Sequence, residues 1–172
     1  ELKGKYLGIV GVGNIGRRIG RIARGFGMNL IGYDVVPIDQ QFTREVGLIT
    51  TDLNTLLSSA DFVTFHVSLT DDTRHMINEQ TLKLMKKTAY IINTSRGAVI
   101  DEVALYKALK EGKIAGVALD VFEVEPPTNN ELVKLPNVIC TPHIGAQTVE
   151  AQELAANVIA EQIIQIVRQS EF

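Results

Sequence analysis

Three residues that could catalyse a reversible alcohol oxidation are widely separated in this 172-residue sequence: Arg96, Glu125 and His143. An imidazole can take the hydroxyl proton while hydride leaves to an acceptor such as a nicotinamide. A carboxylate such as Glu125 can orient that imidazole and stabilise its protonated form. A guanidinium such as Arg96 can bind a substrate carboxylate bidentately and polarise a carbonyl oxygen.

Each of these residues also has a structural interpretation when taken alone. His143 could be a hydrogen-bonded loop histidine, Arg96 a helix-capping or surface arginine, and Glu125 a solvated acid before prolines. His66 also follows an apolar run, so it rivals His143 by position, whereas His75 lies in a polar loop and is expected at the surface. Residue types alone therefore leave the identity of the base open.

A glycine motif near the start predicts a dinucleotide site. Gly11, Gly13 and Gly16 follow a predicted strand and open a helix predicted from residue 14 to about 26. The first glycine permits a tight turn, the second lets the backbone approach a pyrophosphate, and the third allows close helix packing. The motif alone is weak, because structural turns and methyltransferases carry similar ones.

Asp34 strengthens the nucleotide prediction. It ends the second predicted strand, 18 residues beyond Gly16, where a carboxylate can accept hydrogen bonds from ribose hydroxyls, although it could also be an ordinary surface acid. Val35 and Val36 follow it, so a 2′-phosphate would meet negative charge without a cation. We expect NAD rather than NADP.

The reactive residues need elements to position them, and short apolar, β-branched runs alternate with helical segments. The predicted strands are residues 6–10, 29–33, 61–67, 89–93, 116–122 and 138–141. Such runs are typical of parallel strands covered on both faces. We predict an α/β fold, a Rossmann-type doubly wound parallel sheet with helices on both faces, whose strand ends bring distant reactive residues to one crevice.

Capping signals place several helices. Asp52, Asn78 and Asp101 each precede a helical segment as a predicted N-cap, and Gly112 follows the last of these segments. After Gly145, apolar residues recur at spacings of three and four, which predicts one long amphipathic helix to the C-terminus. Nothing indicates an internal boundary, so residues 1–172 are treated as one nucleotide-binding domain.

Composition narrows the function classes. There are 17 Lys plus Arg against 20 Asp plus Glu, a formal charge of -3, which disfavours nucleic acid or an anionic membrane as partners. The single Cys140 is expected to be a small buried hydrophobe in a reducing compartment, which favours the cytoplasm. No metal site is predicted.

The first residue is Glu1, and a predicted strand begins almost at once, so we expect the sequence to be a segment cut at the edge of a domain.

Five stretches in order and at matching spacings resemble the D-isomer-specific 2-hydroxyacid dehydrogenases, particularly their phosphoglycerate dehydrogenase branch. They are residues 11–16, 61–70, 92–97, 118–126 and 141–146. The resemblance implies that Arg96 is the substrate-binding catalytic arginine, Glu125 the carboxylate partner and His143, rather than His66, the acid/base. It implies NAD-dependent oxidation of a D-2-hydroxy acid, with 3-phosphoglycerate as the best candidate and glycerate or glyoxylate as alternatives.

The resemblance also implies the cofactor contacts. Beside the glycines they are Asn14, Ile15, Asp34, Val67, Thr94, Arg96, Asp120, His143, Gly145 and Ala146. Most of these would act through backbone groups, and the residues from Thr94 onward would surround the nicotinamide.

Two departures from the family pattern stand out. Ser68 replaces a usual proline. We also expect most of the family's substrate-binding domain to lie outside residues 1–172, and the helix at about 147–170 to pack toward that domain. The resemblance further implies a homodimer formed through the nucleotide domain. Some relatives of this fold are NAD-sensing corepressors, so a non-catalytic binding module is the alternative from another class.

Overall fold

A computed structural model describes residues 1–170 as two units, residues 1–142 and residues from 143 onward. The first unit is built on seven strands, one more than the sequence predicted. They are β1 (Tyr6–Val10), β2 (Asn29–Tyr33), β3 (Leu48–Thr50), β4 (Phe62–Phe65), β5 (Tyr90–Asn93), β6 (Gly116–Leu119) and β7 (Val138–Cys140).

The strands form one sheet in the order β3-β2-β1-β4-β5-β6-β7, and every pairing is parallel. The order reverses between β1 and β4, which is the position where doubly wound sheets bind their ligands. The predicted fold class is confirmed, and the glycine motif lies at this reversal.

Helices cover both faces of the sheet in the first unit. They are α1 (Asn14–Gly25), α2 (Gln40–Val46), α3 (Leu53–Ser59), α4 (Glu79–Leu82) and α5 (Glu102–Lys110). One hydrophobic core lies under α1 and α2, and a larger one lies under α3, α4 and α5. The larger core includes Leu105, Ala108 and Leu109 of α5, all buried.

Local capping explains where these helices begin. The side chains of Asp52, Asn78 and Asp101 accept hydrogen bonds from the first-turn N–H groups of α3, α4 and α5, which confirms the three predicted caps. The sequence analysis missed α2, although Asp39 caps its start and Gly47 ends it with φ +69°.

Part of the sheet is uncovered on the face that carries α1. Within residues 1–142, no helix covers Tyr90 and Ile139, which are 45% and 71% exposed. The ring of Tyr90 stacks on Phe62 at 5.5 Å, and a shallow concavity of about 480 Å³ lies beside them. The prediction that Cys140 is buried was wrong, because β7 is an edge strand and Cys140 is exposed.

The second unit contains the long helix α6 (Val149–Ser170), as predicted. Thr148 Oγ1 accepts a 3.1 Å hydrogen bond from the N–H of Ala151 in its first turn. Apolar side chains along α6 are exposed, namely Val149, Leu154, Val158, Ile159, Ile163, Ile164, Ile166 and Val167. No helix within residues 1–170 has both the length and the apolar character needed to cross a bilayer.

Candidate active site

The register of the sheet brings the carboxyl ends of its strands to one line. Val10 pairs with Tyr33 on one side and with Phe65 on the other, and Asn93 pairs with Phe65 and Leu119. The residues that directly follow these strand ends are Gly11, Asp34, His66, Thr94 and Asp120. Four of these five were predicted as cofactor residues, and the parallel register gathers them at one edge of the sheet.

The glycine turn is shaped by close backbone approaches. Gly11 has φ +88°, and a Cβ built on it would lie 2.6 Å from the carbonyl oxygen of His66. A Cβ on Gly16 would lie 2.1 Å from the carbonyl oxygen of Gly11. A Cβ on Gly13 would meet no atom within 4 Å, so Gly13 borders open space. The first and third glycines are required by the fold, whereas the second leaves room for a ligand.

That open space adjoins the N-terminus of α1, a 12-residue helix. Gly13 is its N-cap, no side chain caps its first turn, and that turn contains no acidic residue. Asn14 and Ile15 in this turn are exposed. Uncapped N–H groups and the positive end of a helix dipole favour an anion, so these residues fit a diphosphate.

Asp34 connects the end of β2 to the glycine turn. One carboxylate oxygen accepts a 2.7 Å hydrogen bond from the N–H of Val12, and the other accepts a 3.2 Å bond from the N–H of Val36. Val35 and Val36 are both exposed. The carboxylate therefore lies next to the turn, at the place where a ribose attached to a bound diphosphate would extend.

Arg96 projects from a turn held by a buried amide. Asn93 is fully buried at the end of β5, and its side-chain oxygen accepts hydrogen bonds from the Ser95 N–H at 3.0 Å and the Ser95 hydroxyl at 2.8 Å. Its side-chain nitrogen donates to the Arg96 carbonyl at 2.9 Å. The Arg96 guanidinium is exposed and donates to the Ser95 carbonyl at 2.7 Å. The buried amide fixes the backbone from which this guanidinium extends.

Glu125 lies on the loop after β6, and this loop contacts the Arg96 turn. The N–H of Phe122 donates a 3.0 Å hydrogen bond to the Glu125 carboxylate. A Cβ on Gly97 would lie 1.9 Å from the carbonyl carbon of Phe122, so the two backbones touch. The structure thus joins the segments that carry Arg96 and Glu125.

Asp120 and Val67 lie at the same edge of the sheet. The buried Asp120 donates its N–H to the Asn93 carbonyl at 3.0 Å and accepts a short hydrogen bond from the Thr141 hydroxyl. Val67 is half-buried against the glycine turn, and its Cγ1 would lie 2.9 Å from a Cβ on Gly11.

His143, Gly145 and Ala146 belong to the second unit, where all three are exposed. His143 has φ +54°, in the left-handed region that few residues other than glycine adopt. Strained backbone of this kind recurs at functional sites.

The other two histidines lie in the first unit. The His66 ring is hydrogen-bonded at 3.0 Å to the Thr64 hydroxyl, and burial lowers the pKa of His66. His75, expected at the surface, is half-buried with its Nε2 3.2 Å from a carboxylate oxygen of Glu123.

Two supporting residues were not found from the sequence. Asn93 holds the Arg96 turn, and its signal was an amide at the end of an apolar strand. Arg17, in the first turns of α1, donates from Nε to the Val12 carbonyl at 3.2 Å. Charged residues are common at this position in surface helices, so no sequence signal pointed to Arg17.

Residues 1–145 match the family model described as D-isomer specific 2-hydroxyacid dehydrogenase, NAD binding domain. The chain belongs to this family. NAD is the cofactor of this domain, in agreement with the open glycine turn and with Asp34 beside it.

Similar proteins carry several substrate names. The chain is 52% identical over 169 residues to a D-3-phosphoglycerate dehydrogenase of Methanocaldococcus jannaschii, covering 98% of this chain and 32% of that protein. It is 53% identical over 163 residues to a glyoxylate reductase of Thermococcus litoralis, covering 95% and 49%. The chain thus spans about a third to a half of the length of these relatives.

A solved structure shares this architecture. The D-lactate dehydrogenase of Aquifex aeolicus, in complex with NAD and lactic acid, superimposes with a TM-score of 0.91 at 37% identity, covering 98% of this chain and 55% of that one. The predicted family, fold and cofactor are therefore confirmed.

Proposed function

We propose that this domain is the NAD-binding part of a protein that transfers hydride between NAD and a D-2-hydroxy acid. The observation that carries the proposal is the convergence, at one sheet edge, of an open glycine turn with Asp34 and of the Asn93-supported turn that presents Arg96. A diphosphate site and a guanidinium suited to a carboxylate are the two binding functions that this reaction requires.

In this proposal, three side chains perform the chemistry. Arg96 binds the substrate carboxylate and polarises the carbonyl oxygen, because a guanidinium offers paired donors in one plane. His143 exchanges the hydroxyl proton. Glu125 orients the imidazole and stabilises its protonated form. NAD supplies the hydride acceptor, and the proposed contacts to its nicotinamide side come from Thr94, Arg96, Asp120, His143, Gly145 and Ala146.

For the substrate we propose 3-phosphoglycerate, which would place the protein in serine biosynthesis. The relative named D-3-phosphoglycerate dehydrogenase, 52% identical, supports this choice. A relative named glyoxylate reductase is 53% identical, so reduction of glyoxylate or a glycerate-type substrate is the second candidate. The two identities are nearly equal, and we propose that residues outside this domain decide between the two substrates.

The first test uses the domain itself. We expect calorimetry to show NAD binding, with little or no turnover of any 2-hydroxy acid, because hydride transfer requires a substrate held in a site closed to water. Turnover by the domain alone near that of an intact dehydrogenase would contradict the second expectation, and absence of NAD binding would contradict the proposal.

The second test uses a protein that carries this domain together with a substrate-binding domain. Steady-state NADH formation is measured with 3-phosphoglycerate, glycerate, glycolate and lactate, and the reverse reaction with the 2-oxo acids. Arg96→Lys and His143→Asn should each lower kcat/KM by at least about a hundredfold. NAD binding without turnover of any of these acids would favour an NAD-sensing module of the corepressor kind instead.

We also propose that the exposed apolar side chains of α6 pack against the substrate-binding domain and that the protein is a homodimer through its nucleotide domain, located in the cytoplasm. The row of exposed apolar side chains along this helix supports the proposal that another protein surface covers it. Sedimentation of the two-domain protein checks the dimer, and a monomer at micromolar concentration would exclude it.

A further inference from the structure

Val12, the residue between the first two glycines of the turn, is buried and is held through both of its backbone groups. Its N–H donates to the Asp34 carboxylate at 2.7 Å. Its carbonyl accepts a 3.2 Å hydrogen bond from Nε of Arg17. The peptides on either side of Val12 are the ones that shape the glycine turn, so the two side chains together set its conformation.

The Arg17 guanidinium is itself positioned. Its central carbon lies 5.9 Å from the centre of the Phe42 ring, and one terminal nitrogen lies 3.5 Å from a carboxylate oxygen of Asp39. Phe42 is buried against Gly20, where a Cβ would lie 2.9 Å from the ring. The buried ring packs close to α1 and gives the guanidinium an aromatic surface to lie on.

The hydrogen bond from Arg17 changes how the turn meets an anion. A backbone carbonyl near a diphosphate presents negative charge to it, and a charged donor bound to that carbonyl offsets this repulsion. The same bond holds the carbonyl away from other orientations, which keeps the approach to Gly13 open.

We propose that Arg17 is a positioning residue for the NAD diphosphate, acting through the Val12 carbonyl. This inference rests on the proposed NAD site. Arg17 need not touch the cofactor; it maintains the turn that receives the diphosphate and leaves the adenosine to Asp34 and the residues near it.

Arg21 provides a matched control on the same helix. It lies one turn further along α1, its guanidinium carbon is 5.3 Å from the same Phe42 ring, and it forms two hydrogen bonds of 2.6 and 2.8 Å with Glu45 of α2. None of its described hydrogen bonds reaches the glycine turn. Arg17→Met and Arg21→Met therefore remove similar contacts between α1 and α2, and only the first removes a contact to Val12.

The experiment compares three ligands on the domain. NAD and ADP are titrated by calorimetry, and adenosine is titrated by NMR, with thermal unfolding measured for every variant. Arg17→Met should lower the affinities for NAD and ADP by about tenfold, the cost of losing one charge-assisted hydrogen bond. The affinity for adenosine should change by less than about twofold. Arg21→Met should leave all three affinities within about twofold while lowering Tm.

A second pair keeps the inference testable if Arg17→Met fails to fold. Arg17→Lys retains the charge but lacks the Nε donor, so it should lower the affinity for NAD by about threefold. Arg21→Lys should leave the affinity for NAD unchanged. Equal effects at positions 17 and 21, or a parallel loss of adenosine affinity, would overturn the positioning role and leave NAD binding intact. Failure of the unmodified domain to bind NAD would instead overturn the proposed function.

Discussion

Asp34 accepts a 2.7 Å hydrogen bond from the N–H of Val12, so the residue proposed to read the ribose also supports the glycine turn. One carboxylate thus joins the end of β2 to the turn after β1. A substitution at Asp34 therefore affects both the sugar contact and the conformation of the diphosphate site.

The first prediction concerns this double role. Asp34→Ala should weaken NAD binding by about tenfold or more, because it removes the ribose acceptor and the Val12 contact together. Asp34→Asn keeps one acceptor oxygen and should weaken NAD less. Calorimetry with NAD and NADP checks both, and the preference for NAD should fall in both variants. Equal affinity of the unmodified domain for the two cofactors would contradict the assignment.

The second prediction separates the glycines. Gly13→Ala should leave Tm unchanged, because its Cβ meets no atom within 4 Å. It should lower the affinity for NAD by at least about tenfold, because the added methyl group fills the space for the diphosphate. Gly16→Ala should strongly destabilise the domain, because its Cβ would lie 2.1 Å from the Gly11 carbonyl oxygen. Gly25→Ala, at the other end of α1 with no atom within 4 Å, is the control. NAD binding by Gly13→Ala at the unmodified affinity would exclude a diphosphate at this turn.

The third prediction concerns the support beneath Arg96. Asn93→Ala should lower the free energy of unfolding by about 2 to 3 kcal/mol, because it leaves buried partners of the turn without hydrogen bonds. Ser95→Ala loses only the hydroxyl bond and should cost about 1 kcal/mol. Urea unfolding of both variants gives the comparison. If Asn93→Ala costs no more than Ser95→Ala, the amide does not hold the turn.

The fourth prediction follows from His66. Because burial lowers the pKa of His66 in the folded domain, the neutral imidazole is favoured on folding. The contribution of the neutral imidazole to the free energy of unfolding is fully present above the unfolded-state pKa of about 6.5. It is lost as the pH falls from that value through the lower pKa of the folded state. Between pH 7.5 and 5, the free energy of unfolding measured with urea should decrease less for His66→Gln than for the unmodified domain. The same pH dependence in both would show that His66 does not contribute.

Much of the fold could be predicted because parallel strands carry strong local signals. The predicted bounds of β1 and β2 match the structure, while β4 and β6 end two to three residues earlier than predicted. The strand pattern could not mark these ends, because apolar residues continue after the chain leaves the sheet. Val67, Val121 and Phe122 all lie in the loops of the site, where they pack against the core or the glycine turn.

The elements that were missed are short and lie at the edges of the sheet. β3 has three residues, and α2 has only two buried side chains, Phe42 and Val46, so neither gives a sustained periodicity. Cys140 was misplaced because an apolar run does not reveal that its strand lies at the edge of the sheet.

The candidate site was predictable where residue type determines the role. The glycines, Asp34 and Arg96 could be selected by chemistry, but Asn93 and Arg17 act through backbone groups of other residues. Contacts of that kind depend on three-dimensional proximity, which spacing along the chain does not encode.

Gly97 has a wider consequence for how such a domain can change. Because backbone packs against backbone at that point, no side chain can be introduced between the arginine turn and the glutamate loop to adjust their spacing. Evolution toward a new 2-hydroxy acid would therefore preserve this pair of loops and alter surfaces that face the substrate from elsewhere. Engineering of altered substrate preference should leave position 97 untouched.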